Sequence, residues 1–233
     1  MKRGLRMLIV GLGLLLAAPA GAAITGKVTF VSEYVLRGIA QSNEDPAIQG
    51  SIDWSHEKGF YLGVWGSNVD FRHIGLTLDA QAEFDLYGGW AWTGDKGFGI
   101  DVGIIHYDYP GEGNLDPLGD SKDLNYEEVY FGIKYKTFGL KVYYTDSFLG
   151  FDVEETYTDA SVSFDLGAGF TLLLHGGYST FDPQFLEDYY DYKVGLSRAF
   201  GKLSLEVAYI DTDEKLLLDH SDERVVVALS YSG

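Results

Sequence analysis

Histidine and serine are the residue types in this chain that could together form a hydrolytic site. His175 falls on the polar face of a predicted strand, and Ser161 and Ser163 fall on the polar face of a neighbouring strand. No stretch resembles a nucleophile elbow or a zinc-binding HExxH motif. The chain also has no cysteine to serve as a nucleophile or thiolate ligand. We therefore expect that the protein is not an enzyme. The histidines are His56, His73, His106, His175 and His220.

Carboxylates in the predicted loops are the residues that could hold a metal ion, because Ca²⁺ and Mg²⁺ prefer oxygen ligands. These loop acids lack the spacing of an EF-hand. We expect them to be scattered, solvated carboxylates, and we predict no metal site and no cofactor. The acids are Glu154, Glu155, Asp219, Asp222 and Glu223.

The composition excludes several classes of protein. The chain has 233 residues, with 17 Lys and Arg against 35 Asp and Glu, and a formal net charge of −18. Its length fits one domain or at most two small ones, and its acidity argues against nucleic acid as a partner. With 30 Gly, 17 Tyr, 14 Phe and only 5 Pro, the composition is typical of a β-rich folded chain and not of a disordered one.

The first segment predicts export. Lys2, Arg3 and Arg6 precede an apolar run over 8–18, and the small residues 20–22 follow Pro19. This pattern is typical of a secretory signal peptide. We predict that residues 1–22 are cleaved and that 23–233 form the mature domain. No later apolar run is long enough for a transmembrane helix.

Apolar and polar residues alternate with a period of two through the rest of the chain. Near the middle, Phe84, Leu86 and Trp90 share one face, and Glu83 and Asp85 share the other. Because successive side chains of a strand point to opposite faces, this pattern predicts strands with one apolar and one polar face. Twelve such segments lie near 25–36, 46–56, 60–69, 78–92, 97–109, 125–136, 139–147, 156–166, 169–178, 188–199, 202–211 and 224–232.

The connections between these segments alternate strictly between short and long. Short turns lie near 56–59, 93–96, 136–138, 166–168 and 199–201, and longer, mostly acidic loops lie between them. An up-and-down barrel has tight turns at one rim and long loops at the other. We therefore predict an all-β fold, an antiparallel up-and-down transmembrane β-barrel of about 12 strands with both termini at the short-turn end.

The inverted polarity of an outer-membrane barrel and the ordinary polarity of a soluble barrel produce the same alternation. The predicted signal peptide favours the outer membrane of a Gram-negative bacterium over a periplasmic or secreted β protein. Charges on the apolar face, such as Glu127 and Arg198, fall only at strand ends. Aromatic residues near strand ends of that face are typical of the bilayer interface. They are Tyr34, Trp54, Trp90, Trp92, Tyr126, Tyr135 and Tyr209.

Three stretches in the first half carry a family resemblance: YVLRGIAQS (34–42), PAIQGSID (46–53) and GFYLGVWGSNVDF (59–71). They resemble the motifs of a proteobacterial family of proposed porins, the TorF-type or Gcw_chp family. The resemblance implies an outer-membrane barrel and a channel, and it names no solute. Members of that family tend to end on an aromatic residue. Here Ser232 and Gly233 follow Tyr231, so either Tyr231 takes that role or the terminus is altered. Weaker echoes lie at 83–89, 107–111, 191–195 and 224–226.

If the polar face lines a lumen, acids outnumber bases there, and the low-dielectric wall would concentrate cations. We hypothesise a narrow, cation-preferring porin for small hydrophilic solutes or ions, with outer-membrane lipids as its other partners. The alternative is a plugged lumen in which the acids pair with the bases. According to the alternation, the acids on the polar face are Glu33, Asp53, Asp79, Glu83, Asp85, Asp101, Glu128, Asp159, Asp165, Asp191 and Glu206, and the bases on it are Arg37, Lys134, Lys141 and Lys193.

Arg37 is the candidate selectivity residue at the rim of the first long loop. It would steer a charged solute or pair structurally with Asp53 or Glu83. In the 59–71 stretch, Trp65, Asn68 and Asp70 are candidates for shaping the next loop, the polar pair through bonds to the backbone. Two other functional classes stay open. They are an adhesin-type or structural barrel and, less favoured, a barrel lipase of the kind that places Ser and His on the lipid-facing surface.

Overall fold

The computed structural model describes residues 21–71, 77–78, 80–110, 113–114, 124–182, 187–214 and 221–233. The predicted signal peptide, except for its last two residues, lies outside this part of the chain. His73, Asp79, Asp219 and His220 also lie outside it.

Twelve antiparallel strands pair in chain order, and the last pairs with the first to close a barrel. The twelve-strand barrel predicted from the alternation is confirmed. Closure leaves no strand edge, so every strand finds a hydrogen-bonding neighbour on both sides. The strands are β1 (Ala22–Val31), β2 (Ala47–His56), β3 (Phe60–Asn68), β4 (Ala82–Thr93), β5 (Phe98–Asp108), β6 (Tyr126–Tyr135), β7 (Phe138–Thr145), β8 (Glu154–Gly167), β9 (Phe170–Asp182), β10 (Tyr189–Phe200), β11 (Leu203–Thr212) and β12 (Arg224–Ser232).

The outer surface carries the apolar face of the strands. Ile52, Phe84 and Val225 are each more than half exposed there, while Glu83 between two outward residues is fully buried. This is the polarity expected of a barrel in a lipid environment and the reverse of a soluble barrel. No helix among the described residues is long and apolar enough to cross a membrane.

Tight turns connect the strands at one end of the barrel. In the turn between β2 and β3, Gly59 has φ +92°, and a Cβ at this position would collide with the carbonyl oxygen of Ala91. The Gly59 carbonyl accepts a 2.9 Å hydrogen bond from the Ala91 amide. Glycine is therefore required both for the left-handed backbone and for the close approach of β4.

Tyrosines on the inner wall lie over glycines of the neighbouring strand. Tyr61 is paired with Gly89, Tyr87 with Gly63 and Tyr130 with Gly103. A Cβ on any of the three glycines would collide with its tyrosine ring or hydroxyl. We call these the tyrosine–glycine pairs. Because glycine has no side chain, the tyrosine ring packs directly on the backbone of the neighbouring strand. This arrangement is known as aromatic rescue of strand glycines.

The junction of β1 and β12 is short. Only Lys27–Val31 of β1 pair with Ala228–Ser232 of β12, whereas all ten residues of β1 pair with β2. Reciprocal hydrogen bonds between Gly26 and Gly233 extend this junction at the short-turn end.

The first long loop folds inward as a small hairpin. The predicted strand over 25–36 is too long, because the regular strand ends at Val31 and Val35–Leu36 pairs instead with Ile39–Ala40. We call residues 35–40 the inward hairpin. Its apolar residues pack against side chains of the other loops, which removes them from water.

Aromatic residues from several loops fill the long-loop end of the barrel. Tyr34 and Tyr126 were predicted on the lipid-facing side, and this prediction is wrong, because both are buried in that cluster. Tyr126 falls in the inward phase of β6 together with Glu128, and Tyr34 lies beyond the end of β1.

Candidate functional site: the lumen and its inward hairpin

The tip of the inward hairpin crosses the lumen. Arg37 has φ +49° and Gly38 has φ +80°, the pair of left-handed residues that a two-residue primed turn requires. An added Cβ on Gly38 would lie 2.8 Å from Cβ of both Asp191 and Thr212. The hairpin begins at β1, yet its tip contacts β10 and β11.

Arg37 fastens this tip to the opposite wall. Its guanidinium donates a 2.7 Å hydrogen bond to Glu128 of β6 and a 2.6 Å hydrogen bond to Glu155 of β8. The side chains of Arg37, Glu128 and Glu155 are only 7%, 1% and 1% exposed. Tyr107 and Ser179 donate further hydrogen bonds to these two carboxylates.

Burial opposes the charge of Arg37, but the two carboxylates outweigh it and raise the pKa of Arg37 well above its ordinary value. The guanidinium also lies over the ring of Tyr157, 4.4 Å from its centroid, so a cation–π contact adds to the ion pairs. The two ion pairs and the cation–π contact together hold the charged Arg37 side chain in this position.

The predicted partners of Arg37 differ from the observed ones. The phase argument named Asp53 or Glu83, whereas the salt bridges join Arg37 to Glu128 and Glu155. Glu155 was expected to be a solvated loop acid, and that expectation is wrong. Strand β8 begins at Glu154, two residues before the predicted start at 156, and this places the Glu155 side chain in the lumen.

Other inward charges form pairs along the inner wall. Lys141 lies 2.6 Å from Asp101, which also accepts a 2.6 Å hydrogen bond from Tyr61. Lys193 and Glu206 form a 2.6 Å salt bridge between β10 and β11. Each pair places opposite charges on the same wall, so its field cancels over short distances.

His175 bridges two carboxylates. Its Nδ1 lies 2.9 Å from Asp159, and its Nε2 lies 2.8 Å from Asp191. An imidazole can donate from both nitrogens only when it is protonated, so this geometry suits a cation held between two acids. Neither Ser161 nor Ser163 is hydrogen-bonded to His175 among the described side chains, which does not resemble a nucleophile–base pair.

Replacing His175 with glutamine should lower the free energy of unfolding by about 1–3 kcal/mol, because glutamine leaves one of two largely buried acids without its donor. Urea unfolding of the barrel in lipid vesicles, monitored by tryptophan fluorescence, measures this free energy. His106→Gln is the matched control, because His106 and Glu127 pair on the outer surface with side chains 42% and 59% exposed, where a pair contributes little. Equal losses in the two variants would contradict the assigned bridge.

Three carboxylates on one wall have no basic partner. Asp53 of β2 accepts hydrogen bonds from Tyr87 and Ser51, and Glu83 of β4 accepts one from Tyr109. One oxygen of Glu83 and one of Asp85 have no hydrogen-bond partner at all. Among the described residues, no Lys, Arg or His lies within 4 Å of these three carboxylates. We call Asp53, Glu83 and Asp85 the acidic wall.

The predicted loop-shaping residues lie at the long-loop end of β3. The ring of Trp65 packs against Tyr34 with centroids 5.3 Å apart. Oδ1 of Asn68 accepts a 2.8 Å hydrogen bond from the Ile48 amide. The amide of Asp70 donates a 2.8 Å hydrogen bond to the carbonyl of Gln41. These contacts join the start of the second long loop to the first loop and β2.

Several cavities remain inside the barrel. One of them has a volume of about 480 Å³, with Arg37 and Gly38 in its lining. A second of about 300 Å³ adjoins it at Asp159 and Ser161. Among the described residues, no group of three or more His, Asp or Glu side chains is placed to hold a metal ion.

Sequence reasoning missed the inward hairpin and the inward position of Glu155. A local signal for the hairpin was present: Arg37-Gly38 lies between the apolar pairs Val35-Leu36 and Ile39-Ala40. Two residues that end in glycine between apolar residues resemble the two-residue hairpin turns, although the usual first residue is Asn, Asp or Gly and not Arg. Its direction into the lumen depends on distant carboxylates and has no local signature.

Comparisons with known proteins agree with this fold. The profile of Gcw_chp, described as a bacterial protein of unknown function, matches residues 17–230. A solved KdgM porin is similar with a TM-score of 0.58 at 9% identity, covering 89% of this chain and 98% of that chain. A NanC porin gives 0.53 at 10% identity, with 90% and 98% covered. No curated protein sequence matches the chain. At these identities the structural likeness shows the porin-type barrel fold alone.

Proposed function

The chain belongs to the Gcw_chp family, and from that premise and its barrel we propose that it is an outer-membrane porin. It would be exported by its signal peptide and expose its long loops on the cell surface. Small hydrophilic solutes or ions would diffuse passively through the lumen, with a preference for cations. The TorF-type assignment is part of the same proposal. We also propose that the partners of the barrel are outer-membrane lipids and not nucleic acids.

The acidic wall is the observation that carries the cation preference. Most inward bases of the described chain are already paired with acids outside the wall, and none of the described bases lies within 4 Å of a wall carboxylate. The inward-facing acids are Glu33, Asp53, Glu83, Asp85, Asp101, Glu128, Glu155, Asp159, Asp165, Asp191 and Glu206, and the inward-facing bases are Lys27, Arg37, Lys134, Lys141, Lys193 and Arg224.

A permeating ion would pass Asp53 and Asp85, which are partly exposed, while Glu83 is buried behind them and would act only through its field. The inward hairpin narrows the lumen, so a solute must pass between the hairpin and the barrel wall. When these carboxylates are ionised, the surrounding low-dielectric protein and lipid strengthen their attraction for cations and their repulsion of anions relative to open water. The geometry thus favours a restricted cation path over a wide, unselective pore.

The charge-neutralising variant Asp53→Asn/Glu83→Gln/Asp85→Asn should lose most of the cation preference. The expected fall in the ratio of K⁺ to Cl⁻ permeability is roughly tenfold, because the local counter-ion excess depends on this field. Reversal potentials of single channels in a KCl gradient measure the ratio. Glu127→Gln is the control, because it removes one carboxylate from the outer surface. A wild-type channel that prefers anions would overturn the proposal.

A plugged, adhesin-type or structural barrel is the second candidate. The observation that favours it is the inward hairpin itself, which Arg37 fastens across the lumen. Heat-modifiable migration without conductance, together with cell binding that requires the long loops, would support this alternative. Discrete conductance steps would exclude the fully plugged form.

We further propose that the protein has no enzymatic activity. Both nitrogens of His175 are engaged by carboxylates, which leaves neither free to act as the base for a serine. Phospholipid hydrolysis by the purified barrel that disappears in His175→Ala would contradict this proposal and favour a barrel lipase.

A further inference from the structure

Three basic side chains lie against aromatic rings at the short-turn end of the outer surface. They belong to one continuous sector of the barrel, from β6 to β12. We call Lys136, Arg198 and Lys202 the basic rim.

Arg198 has the most defined environment of the three. It is an exposed, outward-facing residue of β10 opposite Phe170 of β9. Its guanidinium carbon lies 4.7 Å from the ring centroid of Phe170 and 4.7 Å from that of Phe200. The two rings hold the guanidinium at the border of the apolar surface. Contact with ring faces leaves N–H groups at its edge available for an anion.

Lys136, in the turn between β6 and β7, and Lys202, in the turn between β10 and β11, repeat this arrangement. The Lys136 ammonium lies 5.2 Å from the ring centroid of Tyr135, and the Lys202 ammonium lies 5.9 Å from that of Tyr231. Both tyrosines face outward and are about half exposed. Amphipathic rings of this kind lie at the level of lipid headgroups.

The basic rim has no acidic partner in the described chain. No salt bridge within 4 Å joins Lys136, Arg198 or Lys202 to a described carboxylate. Asp165, in the same sector, accepts a hydrogen bond from the Gly167 amide. In the other short turns, by contrast, Lys58 follows Glu57 and Lys96 follows Asp95. The positive charge of the short-turn end is therefore concentrated on one side of the barrel.

We propose that the basic rim binds the phosphate groups of anionic glycerophospholipids in the leaflet that contacts the short turns. A guanidinium matches a phosphate through paired N–H donors, and lysines at a membrane interface reach the headgroups while their stems stay on apolar surface. The aromatic rings would hold the three charges at headgroup depth. This proposal needs the barrel to lie in a membrane and does not depend on whether the lumen conducts.

The test measures lipid preference directly. The full chain is folded into vesicles of phosphatidylcholine with a minor share of phosphatidylglycerol, and bound lipids are counted by native mass spectrometry after extraction. Wild type should retain phosphatidylglycerol in excess over its share. Arg198→Gln should reduce this excess about fivefold, the contribution typical of one basic residue near an anionic surface. The triple variant Lys136→Gln/Arg198→Gln/Lys202→Gln should abolish the excess.

Two controls keep the result interpretable. Arg198→Lys keeps the charge and loses the paired donors, so it should retain part of the preference. Lys58→Gln removes one charge from the same end, outside the sector, and should change little. Heat-modifiable migration establishes that each variant is folded. An unchanged preference in the triple variant would overturn the proposal, and so would an equal loss in Lys58→Gln. A stronger preference for lipid A that depends on Arg198 would overturn the leaflet assignment.

Discussion

Replacing Arg37 with alanine should raise single-channel conductance several-fold and also destabilise the barrel. The guanidinium is the contact that fastens the inward hairpin to Glu128 and Glu155, so its loss frees the hairpin tip and widens the path. It also leaves two buried carboxylates without their counter-charge. Breaking a buried ion pair in this way typically costs about 3–5 kcal/mol. Planar-bilayer recording measures the conductance, and urea unfolding measures the stability.

A compensated variant separates these two effects. Arg37→Ala/Glu128→Gln/Glu155→Gln removes the buried charges along with their partner, so much of the lost stability should return. The conductance should stay high, because the hairpin is still unfastened. If this variant conducted like the wild type while Arg37→Ala did not, the larger conductance would come from general unfolding and not from release of the hairpin.

Gly103→Ala should cost about 3 kcal/mol or more of barrel stability, the upper range for overpacking a well-filled site. An added Cβ would lie 2.5 Å from Cζ of Tyr130 and 2.6 Å from the carbonyl oxygen of Gly88. The Tyr130 ring would have to move away from the backbone at Gly103, and the backbone of β4 would have to shift. The fraction that shows heat-modifiable migration after refolding, and the urea midpoint, measure this loss.

Gly195→Ala is the matched control for this substitution. Gly195 also faces inward, on β10, but the nearest atom to an added Cβ is Oε1 of Glu206 at 3.3 Å. That atom is the end of a flexible side chain and can move by a few tenths of an ångström. We expect near-wild-type refolding. Similar losses in both variants would show that the tyrosine–glycine pairs have no special role.

Alternation along the chain predicted the wall of the barrel well, because burial in a strand depends only on which face a residue occupies. Residues such as Glu83 and Phe84 needed no tertiary information. The prediction became wrong where the strands end. At Tyr34 the chain has already left β1, so its phase no longer indicates a face, and the residue packs with Trp65 in the loop cluster.

The charge network was harder to predict than the wall. Phase places Arg37, Glu83 and Glu128 in the lumen, but it does not say which of them meet. Partner choice depends on the inward direction of a loop and on the distance across the barrel. Both are set by packing among segments far apart in sequence. The acidic wall is the part that follows from phase alone, because its residues project from regular strands.

The short junction between β1 and β12 has a consequence for how the barrel opens and forms. It has half as many paired residues as the junction of β1 with β2, so fewer hydrogen bonds must break for the two strands to part. Thermal fluctuations should therefore separate β1 from β12 before they separate other strands. Amide hydrogens of β1 that bond to β12 should exchange faster than those that bond to β2. In assembly, the same junction should form last, after the eleven local hairpin contacts have formed along the chain.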